Sequence, residues 1–326
     1  MTSDQFGRRI HYLRISLTDM CNLRCVYCMP ENMTFRPAPE LMQTAEVTRL
    51  VDLFGVLGFT KIRLTGGEPT LREDLVPIIR HIRNTPGVET VAMTTNGIQL
   101  RELAAPLADA GLDRVNVSID TLDPDRFRQM TRWGRVEDVR AGIREAEAKG
   151  IEIKLNVVVV RGFNDTKDVL ELAGLSRTHP WQIRFIELMP FGSVATFQKE
   201  HTVSEKELRT TIESSLGPLA LQDEGRLDGE ARIFRLNDAP GTIGFISSVT
   251  APFCAGCTRV RLTPDGKLRL CLLRDNEFDL LSMMREGAAD SEVLDAAARA
   301  IYRKPWGHGL AQNLYPKQRV MSEIGG

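Results

Sequence analysis

The sequence predicts an α/β protein built as an incomplete (β/α)6 barrel of the TIM type, followed by a C-terminal α+β extension. Three observations point there. From Tyr12 to about Leu188, short apolar runs alternate six times with longer segments of helical period, the pattern of βα units on a parallel sheet. After Met189 the rhythm breaks and shorter strand-like runs take over. A chain of 326 residues can bury a barrel-sized core and still carry a smaller appendage.

Taken in order, the expected strands are YLRISL, KIRLT, ETVAMT, DRVNVSI, IEIKLNVVVV and QIRFIEL. The expected helices run from about Thr44, Glu73, Ile98, Val136 and Asp165. Thr44 is the expected N-cap of the first, with Glu46 in its first turn, and Gly150 stands where a helix stops before a strand. Beyond Met189 a helix is expected over 204–216, and RIFRL and TIGFISSV read as antiparallel strands. RVRLTPDGKLRLC reads as a hairpin turning at Asp265 and Gly266, because an Asp-Gly pair between alternating runs suits a tight turn. That hairpin returns Cys271 towards Cys257. Two helices follow, and the last residues are MSEIGG. These features divide the chain into an expected barrel, residues 1–190, and an expected second module, residues 191–326.

Hydrophobic and charged fractions of 42% and 26% are those of an ordinary globular protein. With 42 basic against 43 acidic residues there is no global field for nucleic acid, so any polyanion must be held by a local basic cluster. No stretch approaches the roughly 20 apolar residues that cross a bilayer. The first residues lack an uninterrupted apolar core followed by a small-residue cleavage site. Neither membrane association nor secretion is expected, and the expected location is the cytoplasm. The six cysteines fall in two trios at opposite ends of the chain, which suits two metal sites in a reducing compartment better than a disulfide framework.

Cys21, Cys25 and Cys28, in CNLRCVYC, directly follow the first strand and lie on the first βα loop. Three thiolates ligate only three irons of a 4Fe-4S cube, which leaves the fourth iron open to an outside ligand. Zinc is the alternative, but it usually closes with a fourth Cys or His, and no histidine lies near this loop. Here the sequence resembles the radical S-adenosylmethionine superfamily. The resemblance implies that the methionyl group of S-adenosylmethionine chelates the open iron, and that its reductive cleavage yields a 5′-deoxyadenosyl radical. It also implies that Gly67, in the GGEP run Gly66–Pro69, meets the methionyl amine, that Tyr27 lies against the adenine, and that Ser118 and Met189 contact the cofactor from strand ends. Glycines there leave backbone groups open to a close ligand. Taken singly, a strand-end Ser or Met is more often a packing or capping residue.

The second trio is Cys254, Cys257 and Cys271, in CAGCTRVRLTPDGKLRLC. A zinc knuckle or a redox dithiol are the alternatives for the CxxC alone, whereas a second open 4Fe-4S cluster suits three cysteines. Arg259 and Arg261 are two apart, so on a strand they share a face, and paired guanidinium groups suit phosphate oxygens. A solvated strand face is the bland alternative. Arg14, Arg63 and Lys154 also occupy strand positions, and buried cations there predict an anionic substrate, although a shift of one residue would turn Lys154 outward.

The second trio, the R-x-R hairpin and the terminal Gly325 and Gly326 resemble the GTP 3′,8-cyclase family of molybdenum cofactor biosynthesis. That resemblance implies a lyase whose substrate is GTP, with Arg14, Arg259 and Arg261 as catalytic positions and Arg63, Thr94 and Lys154 as further substrate contacts. It implies hydrogen abstraction at C3′, ring closure on C8, and a glycine tail that enters the active site. It also implies a flavodoxin-like or ferredoxin-like electron donor, and cyclic pyranopterin monophosphate synthase as the enzyme that takes the product. A homodimer is compatible with the sequence. Met20 departs from the family pattern, where an arginine is common, as does Thr258, where an asparagine is common. The competing readings are a peptide-modifying maturase of the same superfamily and a noncatalytic zinc-binding module.

Overall fold

Most of the expected barrel strands alternate an aliphatic or aromatic residue with a polar or small one, although IEIKLNVVVV ends in four valines and QIRFIEL sets Phe185 beside Ile186, and that period of two decides how the sheet is used. The computed structural model describes residues 2–222, 227–228, 230–312 and 314–325. The six runs form β1 (Tyr12–Ser16), β2 (Lys61–Thr65), β3 (Thr90–Thr95), β4 (Arg114–Ser118), β5 (Glu152–Val159) and β6 (Gln182–Glu187), each parallel to the next. Between them lie α1 (Thr44–Val56), α2 (Leu75–Asn84), α3 (Leu100–Asp109), α4 (Pro124–Thr131), α5 (Val136–Ala148) and α6 (Lys167–Gly174). Leu13, Ile15, Ile62, Leu64, Val91, Met93, Val115 and Val117 are fully buried in one core with the apolar stripes of these helices.

The opposite strand face is polar. Arg14 pairs in register with Arg63, and Thr94 with Asn116, which in turn pairs with Lys154. Register partners point to the same side of a sheet, so these residues share one face. Parallel strands are normally apolar on both faces, so a polar inner face marks an interior kept for a ligand.

Local signals differ from expectation at several helix starts. Gln43, not Thr44, occupies the N-cap position of α1, where its N–H donates to Glu46 Oε2 at 2.7 Å. The Thr44 hydroxyl instead donates to Asp74 at 2.5 Å. Helices α2, α3 and α6 each begin two residues later than expected, at Leu75, Leu100 and Lys167. Helix α4 was not anticipated, although Asp123 caps it by accepting from the Arg126 N–H at 2.9 Å and Pro124 opens its first turn.

Beyond β6 come α7 (Ala195–Glu200) and α8 (Glu205–Leu216), the latter opened by a reciprocal Ser204–Glu207 capping box. Then follow β7 (Leu219–Leu221), β8 (Leu227–Asp228), β9 (Ala231–Leu236), β10 (Thr242–Ile246), β11 (Arg259–Leu262), β12 (Lys267–Arg269) and β13 (Glu277–Asp279), with α9 (Leu280–Arg285) and α10 (Asp290–Tyr302) after them. Strands β9 and β10 are antiparallel, as expected. However, β10 also lies parallel to β6, and β11 lies parallel to β1. Among the described residues the strands form one sheet in the order β13-β12-β11-β1-β2-β3-β4-β5-β6-β10-β9-β7, with β8 beside β9. The second half of the chain thus extends both edges of the barrel sheet. Among the described residues no helix is long and apolar enough to cross a membrane.

Candidate active site

The loop after β1 carries Cys21, Cys25 and Cys28 into a solvent-open cleft of about 1330 Å³ at the C-terminal ends of the strands. Arg24 holds the loop in shape, donating to the carbonyls of Cys21 and Leu23 at 2.7 and 2.9 Å. Its guanidinium lies 4.8 and 4.7 Å from the ring centroids of Phe35 and Trp133. Burial, then the Glu68 charge, pushes the Cys21 thiol up to about 11. Burial, then the neighbouring Cys21, pushes Cys28 up to about 12. Cys25 is raised well above its ordinary value by burial, then by Cys28, Asp120 and Cys21. Three buried sulfurs whose ionisation is opposed by burial and by nearby negative charge are the chemistry of a cation site, since a bound cationic centre supplies the compensating charge.

The GGEP run packs directly on this loop. A Cβ on Gly67 would lie 2.2 Å from the Met20 carbonyl oxygen, and one on Gly66 would lie 2.6 Å from the Thr18 oxygen. The Gly67 N–H donates to that Thr18 oxygen at 2.6 Å. Close approach to the cysteine loop is therefore one reason for glycine here, beside the access to a ligand expected from sequence. Glu68, fully buried, ties β2 to β3 by accepting from Thr70, Thr95 and the Asn96 N–H.

Tyr27, Ser118 and Met189 all line the same cleft as Gly67. Sequence reasoning missed Asp120, which accepts the Tyr27 hydroxyl at 2.7 Å and the Val158 N–H at 2.8 Å. Burial raises its carboxyl to about 6 against those hydrogen bonds. Gln198 was also missed; it accepts the Phe191 N–H at 2.6 Å and donates to the Tyr27 carbonyl at 2.8 Å, which fixes the cysteine loop to the segment after β6.

Cys254, Cys257 and Cys271 line a second cavity of about 480 Å³, with Lys304 and His308 beside them. Burial raises the Cys254 thiol, and the Cys271 and Cys257 charges add to this against a backbone hydrogen bond from His308. Arg8 fixes this loop, donating to the carbonyls of Cys254, Trp306 and Pro305 at 2.7, 2.9 and 2.6 Å. Met189, Arg259 and Arg261 line both cavities and form the wall between the two trios. Among the described residues no group of three or more His, Cys, Asp or Glu side chains converges on a single-ion site. The fit to clusters rests on the donor sets, each three thiols with no fourth cysteine.

The cations converge as the strand parity requires. Arg14, Thr94, Arg259 and Arg261 line the main cleft, while Arg63 and Lys154, buried on the same strand face, do not reach its lining. Lys154 therefore does not turn outward, and its Nζ lies 3.9 Å from Glu152. Arg261 is 2% exposed, and its Nη1 is buried without a hydrogen-bond partner among the described residues. Burial, then Arg14, lowers its guanidinium to about 9. Burial, then Arg14 and Arg261, also holds the Arg259 guanidinium well below its ordinary value. Guanidinium groups that destabilise one another's charge are complementary to a multiply charged anion.

Three further residues of this array were missed. Arg184 on β6 lines the cleft and donates from Nε and Nη2 to Asn156 Oδ1 at 3.1 and 2.7 Å. It stands in an Ile-Arg pair like that of KIRLT, a signal present in the sequence. Tyr12 accepts from Arg14 and Arg63, and Glu230 accepts from Arg14 and Arg259.

The C-terminal segment reaches the cleft through residues before the glycine tail, and Gly325 packs beside it. Met321 and Ser322 line the main cleft, and a Cβ on Gly325 would lie 2.5 Å from Thr65 Cγ2 and 3.0 Å from Ser16 Cβ, at the ends of β2 and β1. Gly326 lies outside the described residues.

Two family models match the chain, the Radical SAM superfamily over residues 15–174 and Molybdenum Cofactor Synthesis C over residues 181–310. The GTP 3′,8-cyclase of Thermodesulfovibrio yellowstonii is 43% identical over 326 residues, and that of Moorella thermoacetica 44% over 325, each match covering 99% of both chains. The GTP 3′,8-cyclase of Rhizobium etli is 40% identical, covering 99% of this chain and 94% of that one. Among solved structures, Streptococcus suis SuiB bound to S-adenosylmethionine superposes with a TM-score of 0.65 at 15% identity, covering 94% of this chain and 68% of that one. That likeness shows the fold. The full-length identities, with both family models, show that the chain belongs to the GTP 3′,8-cyclase family of the radical S-adenosylmethionine superfamily.

Proposed function

We propose that the chain is a lyase that converts GTP to (8S)-3′,8-cyclo-7,8-dihydro-GTP in molybdenum cofactor biosynthesis. One observation carries this reading beyond family membership: buried Arg261, whose Nη1 has no hydrogen-bond partner among the described residues, lines both the main cleft of the first cysteine trio and the second cavity of the other trio. A buried guanidinium lacking a partner calls for an anionic ligand. The peptide-maturase and zinc-module alternatives fall with the family assignment.

Cys21, Cys25 and Cys28 would hold one 4Fe-4S cluster, with S-adenosylmethionine against Tyr27, Gly67, Ser118 and Met189. Cys254, Cys257 and Cys271 would hold a second. When bound, these groups supply the one-electron chemistry that removes the C3′ hydrogen of GTP. The chain's own residues position and shield. Arg14, Arg259 and Arg261 grip the triphosphate, and Arg63, Thr94 and Lys154 shape the cationic interior beneath it. Misplacing C3′ or C8 by about 1 Å would cost on the order of a hundredfold in rate, so this orientation is the protein's main contribution. An external flavodoxin-like or ferredoxin-like donor supplies electrons, cyclic pyranopterin monophosphate synthase takes the product, and the cytoplasm provides the reducing setting. A homodimer belongs to the same reading.

The test is anaerobic incubation of reconstituted, reduced protein with S-adenosylmethionine and GTP. The expected products are 5′-deoxyadenosine together with a cyclised nucleotide. Arg259→Ala and Arg261→Ala should each abolish cyclisation while leaving iron and sulfide per chain unchanged. Full cyclisation in both variants would refute the triphosphate role.

A further inference from the structure

The sheet order leaves a seam between its two ends, with β11 and β1 on one side and β10 and β9 on the other. Glu230 stands immediately before β9, yet its carboxylate crosses to the far side of that seam. Its Oε1 accepts from Arg14 Nη2, on β1, at 2.6 Å and also from Arg259 Nη1, at the start of β11. Glu230 is 6% exposed and lines the main cleft together with both arginines.

The contact uses the terminal nitrogens, with which a guanidinium grips an oxyanion. Arg14 Nε is already engaged by the Tyr12 hydroxyl at 3.0 Å. Two arginines thus converge on a single carboxylate oxygen, as they would on one phosphate oxygen. Next to them, Arg261 Nη1 has no such acceptor.

We propose that the Glu230 carboxylate occupies the seat of a substrate phosphate and is displaced when the polyphosphate tail arrives, making it an internal competitor that governs nucleotide affinity. This rests on the reading of the cleft as a triphosphate site. Glu230 lies just before β9, towards one end of the strand order, and the arginines lie on β1 and β11, towards the other, so displacement also breaks the ion pairs that cross the seam. A site filled by its own side chain binds with an apparent affinity reduced by the fraction of molecules in which the seat is open. Removing the competing charge must therefore tighten binding of any ligand that uses the seat, and leave unchanged a ligand that does not. A purely structural role for Glu230 predicts the opposite sign, since freed arginines would lose their alignment and bind phosphate less well.

The experiment measures equilibrium binding of GTP, inorganic tripolyphosphate and guanosine to anaerobic cluster-loaded protein, for wild type, Glu230→Gln and Glu230→Asp. Glu230→Gln should tighten GTP and tripolyphosphate by about tenfold, the scale set by one charge-assisted hydrogen-bonded contact, and leave guanosine unchanged. Glu230→Asp, which keeps the charge on a shorter arm, should fall between. Should the variants misfold, hydrogen exchange on wild type decides: GTP should speed exchange at the amides of Glu230 and Ala231, and guanosine should not. Unchanged or weaker polyphosphate binding in folded Glu230→Gln overturns the proposal, as does protection of those amides by GTP. Wild type that binds neither GTP nor tripolyphosphate would instead remove the triphosphate reading itself.

Discussion

The hydroxyl oxygen of Tyr12 accepts from Arg63 Nε at 2.5 Å, and the same oxygen accepts from Arg14 Nε at 3.0 Å. The Lys61 ammonium sits 4.8 Å from the ring centroid. Tyr12 is 4% exposed and Arg63 2%. Burial alone would raise the phenol, but the charges of Arg14, Arg63 and Lys61 outweigh it and bring Tyr12 down to about 6. One phenolate thus offsets part of the charge of the cationic array and fixes the Nε ends of two arginines.

Tyr12→Phe should therefore destabilise the protein by about 1–3 kcal/mol, the cost of leaving a buried donor without its acceptor. The folded pKa of about 6 lies below the unfolded value of about 10, so folding releases a proton between them. Tyr12's contribution is fully present above about pH 10 and is lost as pH falls through about 6. The stability gap between wild type and variant, from anaerobic denaturant titration, should be wider at pH 8 than at pH 6. The protein has four tyrosines, so ring-carbon NMR can resolve one phenolate signal at pH 8 that the variant lacks. A gap that narrows with rising pH would rule out the phenolate.

Gly67→Ala should empty the first cysteine site. Its Cβ would lie 2.2 Å from Met20 O and 2.5 Å from Asp19 O, both backbone atoms of the loop leading into Cys21. Neither can rotate away, so the loop must move. Reconstituted variant is expected to lose about half of its iron, with the second site still filled. Gly174→Ala is the control, because nothing lies within 4 Å of a Cβ there. Wild-type iron content in Gly67→Ala would show that the loop tolerates displacement.

The barrel strands were legible because each is a short apolar-rich run, most with a period-two alternation, that can be read within its own few residues, and the cysteine trios because their spacing is local. The edges of the sheet were not. That β11 pairs with β1 and β10 with β6 depends on partners more than fifty residues distant in sequence, about which a strand's own pattern says nothing. Glu230 was invisible for the same reason, since it meets Arg14 across 216 residues of separation. Lys154 shows the intermediate case. Its strand was identified, but its face became known only from the register that places it beside Asn116. Helix α4 was missed for a different reason, because its polar composition masked the Asp123-Pro124 start signal.

Arg319→Met should loosen the C-terminal segment. Arg319 donates to Asp265 Oδ1 and Oδ2 at 3.0 and 2.8 Å and to Glu277 at 2.8 Å, and joins that segment to the β11–β12 turn. Burial would raise the Asp265 carboxyl, but the hydrogen bonds from Arg319 hold it below the ordinary range. Removing one partner of a buried ion pair typically costs about 3–5 kcal/mol. The expected result is a lower unfolding midpoint and faster proteolytic trimming of the last residues. Wild-type values of both would show that the segment is held by other contacts.

Gly325→Ala tests whether the tail must dock for turnover. Gly325 adopts φ +80°, where a side chain adds roughly 1–2 kcal/mol. Its Cβ would also lie 2.5 Å from Thr65 Cγ2. Since about 1.4 kcal/mol is a factor of ten in population, the docked tail should become about tenfold or more scarcer. Iron content should stay at wild-type levels, because Gly325 itself touches no cysteine of either trio, whereas formation of the cyclised nucleotide should fall by about the same factor. A strained residue confined to the tail separates these readouts better than truncation, which would also remove the packing of Ile324, fully buried beside Phe191 and Leu273. Turnover equal to wild type in Gly325→Ala would mean that the segment closes the cleft structurally and takes no part in catalysis.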